Sequence, residues 1–506
     1  MTSVNKRIIE FTRQGKFLDL VKMLEEEIPK VDSPGEKLHL EYQLAEAYYS
    51  LREFEKAKNL VERLLPIFQD HNSHGMVGES ENLLGKIYRI HQRYQDALAH
   101  YKNAEEAFKL AKNNDGLSKI YHNIGNVYIF LKRFKEAKKF HFKALKTAEQ
   151  EGKLDAIASS HLNIGSMFYQ NGEVDNALSH LEKAKKLFDE IQDIPSLAAV
   201  YHNLGEIHLL RQEYNVAIKN STKAQTFYET QGNIIGQTLA LTTLARSLKA
   251  SGTLDKAIPI YNQIINIKPT EDILLELGEC YISQNQLQDA KTIFKRITGH
   301  PTSSLHGVGY SLDYLARIAI DQEEFEEAQE CYIQLLQVLD RLTPQDHESI
   351  ASTQGNLGYI FLKTGDKQRA WEFFLQASNY FKKKKNWEEL ITLGSNFRNE
   401  LILIQDFEKA ITVLHDFILP AVKKSQDKKI ENQYHYEIAL FYHLKGDTDL
   451  GLEYWKHSHN KRVTFQKYSA PILESIRDTN TKKELEKQHL RFLKRIIELK
   501  KSKSSR

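Results

Sequence analysis

Residues able to do covalent or metal chemistry are present in number but not in working arrangements. The carboxylates Glu323-Glu324 and Glu326-Glu327 fall in one charged run, the pattern of a solvated helix face and not of an acid/base pair tuned by unlike surroundings. His71 and His74, or His457 and His459, are spaced like metal ligands but lack further donors at matching intervals. Cys280 and Cys331 are the only cysteines, 51 residues apart and outside any C-x-x-C, which reads as core thiols of a reducing compartment. Phosphate-binding glycine loops, H-E-x-x-H and G-x-S-x-G are absent. The sequence therefore points away from an enzyme, and neither catalytic residue, metal nor cofactor is expected.

Binding chemistry is better represented. Asparagine recurs two residues before a repeating small residue, as Asn123, Asn163, Asn203, Asn356 and Asn396, with Gln43, Leu83 and Thr243 at the same place elsewhere. Around these lie polar positions spaced three and four apart: Asn82, Lys86 and Arg89, then His122 and Asn126, then Ser166, then His202 and Glu206, then Thr242, Arg246 and Lys249. Such spacing gathers side chains on one helix face. An amide donates and accepts at once, matching the alternating N–H and C=O of an extended peptide. Asparagine is also a mediocre helix former, so its return to one position is informative. The cations nearby favour an acidic or carboxylate-bearing ligand, a preference offset by Glu79 and Glu206.

The elements that must carry these residues are legible from a repeat. Tyr121-His122-Asn123-Ile124-Gly125-Asn126-Val127-Tyr128 returns 40 residues on as His161-Leu162-Asn163-Ile164-Gly165, and again as Tyr201-His202-Asn203-Leu204-Gly205. The small position is filled in turn by Ala45, Gly85, Gly125, Gly165, Gly205, Ala245, Gly278, Ala316, Gly358, Arg398 and Ala439. Tyr121, Ile124, Gly125 and Tyr128 follow the i, i+3, i+4, i+7 rule for one apolar face, and Phe134, Ala137 and the stretch from His141 to Ala144 begin a second helix. A small residue at Gly125 lets the two helices cross closely. A hairpin of this kind cannot bury its stripe alone and must stack on the next. At Arg398 a bulky cation holds the small position, so a loose seam is expected there.

Leu84-Gly85-x-x-Tyr88 followed by Ala97-x-x-x-Tyr101, repeated as Leu277-Gly278-x-x-Tyr281 with Ala290-x-x-x-Phe294, resembles the tetratricopeptide repeat. The 40-residue step is similar to the long-helix type of kinesin light chains, Leu-Gly-Asn adaptors and bacterial peptide-sensing regulators. The resemblance implies an all-α, right-handed superhelical solenoid of about eleven to twelve helix-turn-helix repeats. It also implies that the first helices line a concave groove, with the asparagines against the main chain of a bound peptide.

Composition agrees with many solvated helices: 41% hydrophobic, 27% charged and only 10 prolines in 506 residues. Residues 1–35 read as a cap or degenerate repeat, 36–254 as the regular block, 255–308 as shorter units forming a seam, 309–460 as a second block, and 461–506 as a capping helix with a basic tail. From Lys482 to Arg506, ten Lys/Arg face three acidic residues, a net of +7 in a chain whose total is +3. Leu485, Phe492, Leu493, Ile496 and Ile497 give that segment an apolar stripe, suited to capping and, alternatively, to anionic lipid or nucleic acid. With no apolar run of membrane-spanning length and no leader pattern at Met1, a cytoplasmic protein is expected. The expected function is a non-enzymatic scaffold binding a peptide or protein tail. The alternatives are an RNA-binding solenoid using the basic tail and a peptide-sensing regulator of another enzyme.

Overall fold

The computed structural model describes residues 3–13, 15–425 and 428–457, together with Lys483, Lys487, Leu490, Arg491 and Lys494. Its regular elements are all helical, and the chain divides into two units, residues 1–269 and 270–506. Most of the segment from Lys482 to Arg506 lies outside the described residues, and so does its expected role. No described helix is long and apolar enough to cross a membrane.

Unit 1 is a row of seven helical hairpins: α1 (Ser3–Arg13) with α2 (Phe17–Glu27), α3 (Pro34–Ser50) with α4 (Phe54–Asp70), α5 (His74–Ile90) with α6 (Tyr94–Leu110), α7 (Asn114–Phe130) with α8 (Phe134–Glu151), α9 (Leu154–Gln170) with α10 (Val174–Glu190), α11 (Ile194–Leu210) with α12 (Tyr214–Thr230), and α13 (Ile234–Ala250) with α14 (Leu254–Ile267). The opening hairpin is no bystander, because Ile8, Leu20 and Leu24 share one apolar cluster with Leu40 and Leu44 of α3.

Two kinds of turn keep the period. Each first helix from α3 to α13 ends on a left-handed residue, in order Arg52, Gln92, Lys132, Gly172, Gln212 and Gly252, with φ between 55° and 80°. The next amide then reaches back to close the helix, as Glu53 N–H does on the Tyr48 carbonyl at 2.9 Å and Arg133 N–H on Tyr128 at 2.8 Å. Only two of the six positions are glycine, so the others carry a strain of roughly 1–2 kcal/mol each, which the satisfied carbonyls offset. Some of the return turns add side-chain caps, absent before α5 and α9: Asn113 Oδ1 accepts from Gly116 N–H and Asn233 Oδ1 from Gly236 N–H, both at 2.9 Å.

Within each hairpin the helices meet at the small position. A Cβ on Gly125 would sit 2.7 Å from His141 Nε2, and one on Gly165 would sit 2.7 Å from Leu181 Cγ and 3.2 Å from the Ala177 carbonyl oxygen. Successive first helices from α3 to α13 also touch one another, whereas contacts between successive second helices are sparser. The row therefore bends toward its first helices, which form the inner face of the unit.

Unit 2 repeats the scheme with α15 (Glu271–Ser283), α16 (Leu287–Thr298), α17 (Leu305–Asp321), α18 (Phe325–Arg341), α19 (His347–Lys363), α20 (Lys367–Lys384) and α21 (Trp387–Leu403). The partner of α21 is built from α22 (Phe407–Thr412), a π-helical stretch Val413–Ile418 and α23 (Leu419–Ser425), and the last described hairpin pairs α24 (Lys428–Lys445) with α25 (Thr448–His457). The loose seam expected at Arg398 is corrected here. The close approach of α21 is taken by Gly394, where a Cβ would lie 2.8 Å from Ile418 Cγ1. Arg398 instead turns toward α24, where its Nη1 donates to Glu437 Oε2 at 2.5 Å and its guanidinium carbon lies 5.7 Å from the Tyr434 ring centre. Glu437 also accepts from Gln433 Nε2 at 3.1 Å, so the buried carboxylate has two partners.

Candidate functional site

The asparagine row stands on α7, α9 and α11, with Asn123, Asn163 and Asn203 each half-buried on the inner face. Their amides are not equivalent. Asn123 Nδ2 donates to Asn82 Oδ1 of α5 at 2.8 Å, and Asn203 Nδ2 donates to Ser166 Oγ of α9 at 2.8 Å. These bonds join neighbouring first helices and fix the direction of two amide planes. Asn163 and Asn126, half-buried in the same face, have no side-chain hydrogen bond among the described residues.

Two residues assigned to the open face by their spacing belong to the packing instead. Asn82 is 3% exposed and serves Asn123. His122 is 8% exposed, with Nε2 2.8 Å from Ser160 Oγ of α9 and Nδ1 3.1 Å from His141 Nδ1 of α8. The reason is geometric: stacking brings the next first helix against this edge of α7, and a position that is lateral on an isolated helix becomes an interface. Burial, helped by the facing ring, holds His122 down to about 3, and burial holds His141 down to about 4. His202 is half-buried and its pKa is lowered by burial, against an opposing pull from Glu206.

The charged positions form a mixed field. The Lys86 amine lies 5.9 Å from the Tyr49 ring and close enough to Glu46 to oppose the rise that burial imposes on that carboxyl. Lys119, fed by Asp115, Glu79 and Glu46, belongs to the same cluster. Arg89 lies 5.9 Å from the Phe130 ring centre and beside the Tyr49 and Tyr101 phenols. On the far side, Glu206 accepts from Tyr169 Oη at 3.4 Å and from Thr243 Oγ1, tying α9, α11 and α13 together. Arg246 is exposed and Lys249 half-buried on α13.

Glu46, Lys119, Tyr169 and Thr243 were not among the residues singled out from spacing. Glu46 and Thr243 stand at places already read in other repeats, those of Lys86 and of the asparagine row, whereas Lys119, six residues before Gly125, and Tyr169, four after Gly165, stand at two further places.

Models described as tetratricopeptide repeat match residues 76–150, 156–230 and 309–383, and a further one matches 272–303, together just over half of the chain. The chain belongs to the tetratricopeptide-repeat family. As a tetratricopeptide-repeat protein it is similar to the apo form of RapI (12% identity, 76% of this chain, 96% of that one, TM-score 0.49). It is also similar to BtubC (BKLC) from P. vanneervenii (19% identity, 43% and 89%, TM-score 0.38). A putative kinesin light chain with nearly identical repeats from Podosopora anserina aligns at 16% identity over 38% of this chain and 95% of that one, TM-score 0.32. No curated protein matches the chain. Among the described residues of this tetratricopeptide-repeat chain, no three His, Cys, Asp or Glu side chains are grouped to hold a metal ion.

Proposed function

We propose that the chain is a protein-interaction scaffold whose unit 1 holds an extended peptide or protein tail along its inner face, working by capture and not by chemistry of its own. The observation that carries this reading is the row Asn123, Asn163, Asn203 on three successive first helices, two of them locked in orientation by Asn82 and Ser166. Locked amides present acceptors without a further ordering cost, which is how a preorganised surface gains affinity. Asn126 and Asn163 keep both donors and acceptor for a ligand. The exposed Arg246 favours an acidic residue toward the α13 end, while Lys86 and Lys119 already face Glu46 and Glu79. Two buried cysteines, neither in a disulfide, accord with a reducing, cytoplasmic setting.

The test is selection of displayed random peptides on the full chain, followed by calorimetry of the selected peptide with wild type and with Asn126→Ala/Asn163→Ala. Each lost hydrogen bond is worth about 1 kcal/mol, so affinity should fall by roughly tenfold to thirtyfold with an unchanged melting temperature. Equal affinity for the two proteins would remove the inner face of unit 1 from consideration.

A further inference from the structure

Unit 2 carries a gap between two of its first helices. Its first helices α15 and α17 touch, as do α19 and α21, but α17 and α19 barely meet. The turn between α18 and α19 spans residues 342–346, longer than the two- or three-residue returns that join α4 to α5 and each later hairpin of unit 1 to the next. The gap opens a hollow of about 330 Å³ floored by Leu335 and Leu339, with Gly309, Tyr310, Asp313 and Asn356 on its walls. A second hollow of about 390 Å³ adjoins it through Asn356 and adds Asn396 and Asn399.

The chemistry of the two hollows is specific. Gly309 is not closely packed, for a Cβ there would stand in ordinary contact with Leu335 Cδ1 at 3.5 Å and Val338 Cγ1 at 3.7 Å. At the packed glycines of unit 1 a Cβ would collide, so Gly309 does not serve helix packing. Tyr310, 63% exposed, stands at the rim. The charged side chains lining the two hollows are Asp313, Asp346 and Glu400, with no lysine or arginine among the lining residues. Asp346 is spent on capping α19 through Ser349, and Glu400 is paired with Lys363 at 2.6 Å. Asp313 has only the long 3.8 Å contact to the exposed Arg317, and burial pushes its carboxyl up. Asn356, which lines both hollows, donates from Nδ2 to Tyr332 Oη at 3.1 Å, and that bond leaves its carbonyl oxygen unused.

We propose that the gap between α17 and α19 is a second peptide site. It takes an apolar side chain on the leucine floor beside Gly309 and a neighbouring lysine or arginine against Asp313 and Tyr310, with the adjoining main chain held by Asn356 and Asn396, the Asn399 Oδ1 being taken by Arg398 at 2.8 Å. A cation there completes the charge of a half-buried carboxylate and lies on an aromatic face, two favourable contacts that an acidic residue would reverse. Charge thus separates this ligand from the acidic one proposed for unit 1, and the inference stands without that reading.

The probes are fluorescein-labelled, amide-capped hexapeptides Ser-Gly-Leu-Arg-Gly-Ser, Ser-Gly-Leu-Glu-Gly-Ser and Ser-Gly-Ser-Arg-Gly-Ser, titrated with the full chain by polarisation at fixed salt. The Leu-Arg peptide should bind on the order of tenfold more tightly than either counterpart. Asp313→Asn should erase the preference for arginine over glutamate. Gly309→Leu, whose Cβ would meet no neighbour closer than 3.5 Å and whose side chain would cover the leucine floor, should erase the preference for leucine over serine while the melting temperature stays within a degree or so of wild type. Asn126→Ala/Asn163→Ala should leave all of these affinities unchanged. Equal binding of the three peptides to wild type overturns the proposal, as does a Gly309→Leu protein of normal stability that still prefers leucine. Loss of Leu-Arg binding in the Asn126/Asn163 variant would also overturn it, by moving the peptide to unit 1.

Discussion

Ser160 on α9 holds His122 on α7 in a single tautomer. The Ser160 hydroxyl donates to the Ala156 carbonyl at 2.8 Å, so its oxygen can only accept from His122 Nε2–H, also at 2.8 Å. His122 Nδ1 is then an acceptor, the proton between the two rings belongs to His141 Nδ1, and His141 Nε2 is left as a bare lone pair against Gly125. Three helices are thereby joined by uncharged imidazoles.

This arrangement makes stability depend on pH. The folded pKa values of His122 and His141, about 3 and about 4, lie below the ordinary 6.5. The unfolded chain therefore binds more protons between those limits, and stability present above about pH 6.5 is lost as pH falls toward 4, by up to about 1.4 kcal/mol per pH unit for each ring. Thermal melts from pH 7.5 to 4.5 should show this slope. His161, lowered by burial to about 4, and the lowered His180 and His202 add to the same slope, so His141→Leu, which copies the natural Gly165 and Leu181 pairing, should reduce it without abolishing it; an unaltered slope would place the titration elsewhere.

Gly165→Leu tests the crossing of α9 and α10. The obstacle at 3.2 Å is the Ala177 backbone carbonyl, which cannot swing away as a side chain can, so the cost should be about 1–3 kcal/mol or more. A melting temperature equal to wild type would mean that the helices can part without loss.

Arg398→Ala should destabilise unit 2 clearly, by roughly 3–5 kcal/mol, because it leaves Glu437, whose side chain is 3% exposed, without its cation. Burial already pushes the Glu437 carboxyl up while Arg398 pulls it down, so removal of the arginine should drive that carboxyl to take a proton. Arg398→Ala/Glu437→Gln should recover much of the loss in a denaturant series, and strictly additive penalties would deny the coupling.

Asn123→Ala and Asn163→Ala should differ although their sequence contexts match. The first orphans a buried Asn82 amide and should cost about 1 kcal/mol, whereas the second breaks no described bond and should be neutral or slightly stabilising, alanine being the better helix former. Urea midpoints for the two variants would separate them. It follows that replacing Asn123, Asn163 and Asn203 together cannot be neutral for the fold.

The period, the hairpins and the packing face of each first helix were readable from residue types alone, because apolar spacing at 3.6 residues per turn and a small residue at the crossing are local requirements repeated at a fixed interval. Gly125, Gly165 and Gly205 announced themselves in this way. What spacing could not say is which lateral positions the neighbouring repeat would cover. His122 and Asn163 both sit just outside the apolar stripe, yet one is locked between three helices and the other is half-buried with no side-chain hydrogen bond among the described residues, a difference set by the partner that stacking supplies. The same holds for Arg398, which reads as an intruder in its own repeat and finds Glu437 39 residues later. The hollow beside Gly309 had no signature at all, since a glycine that makes room for a neighbouring helix and one that leaves room for a ligand are identical in sequence, and only the separation of α17 from α19 tells them apart.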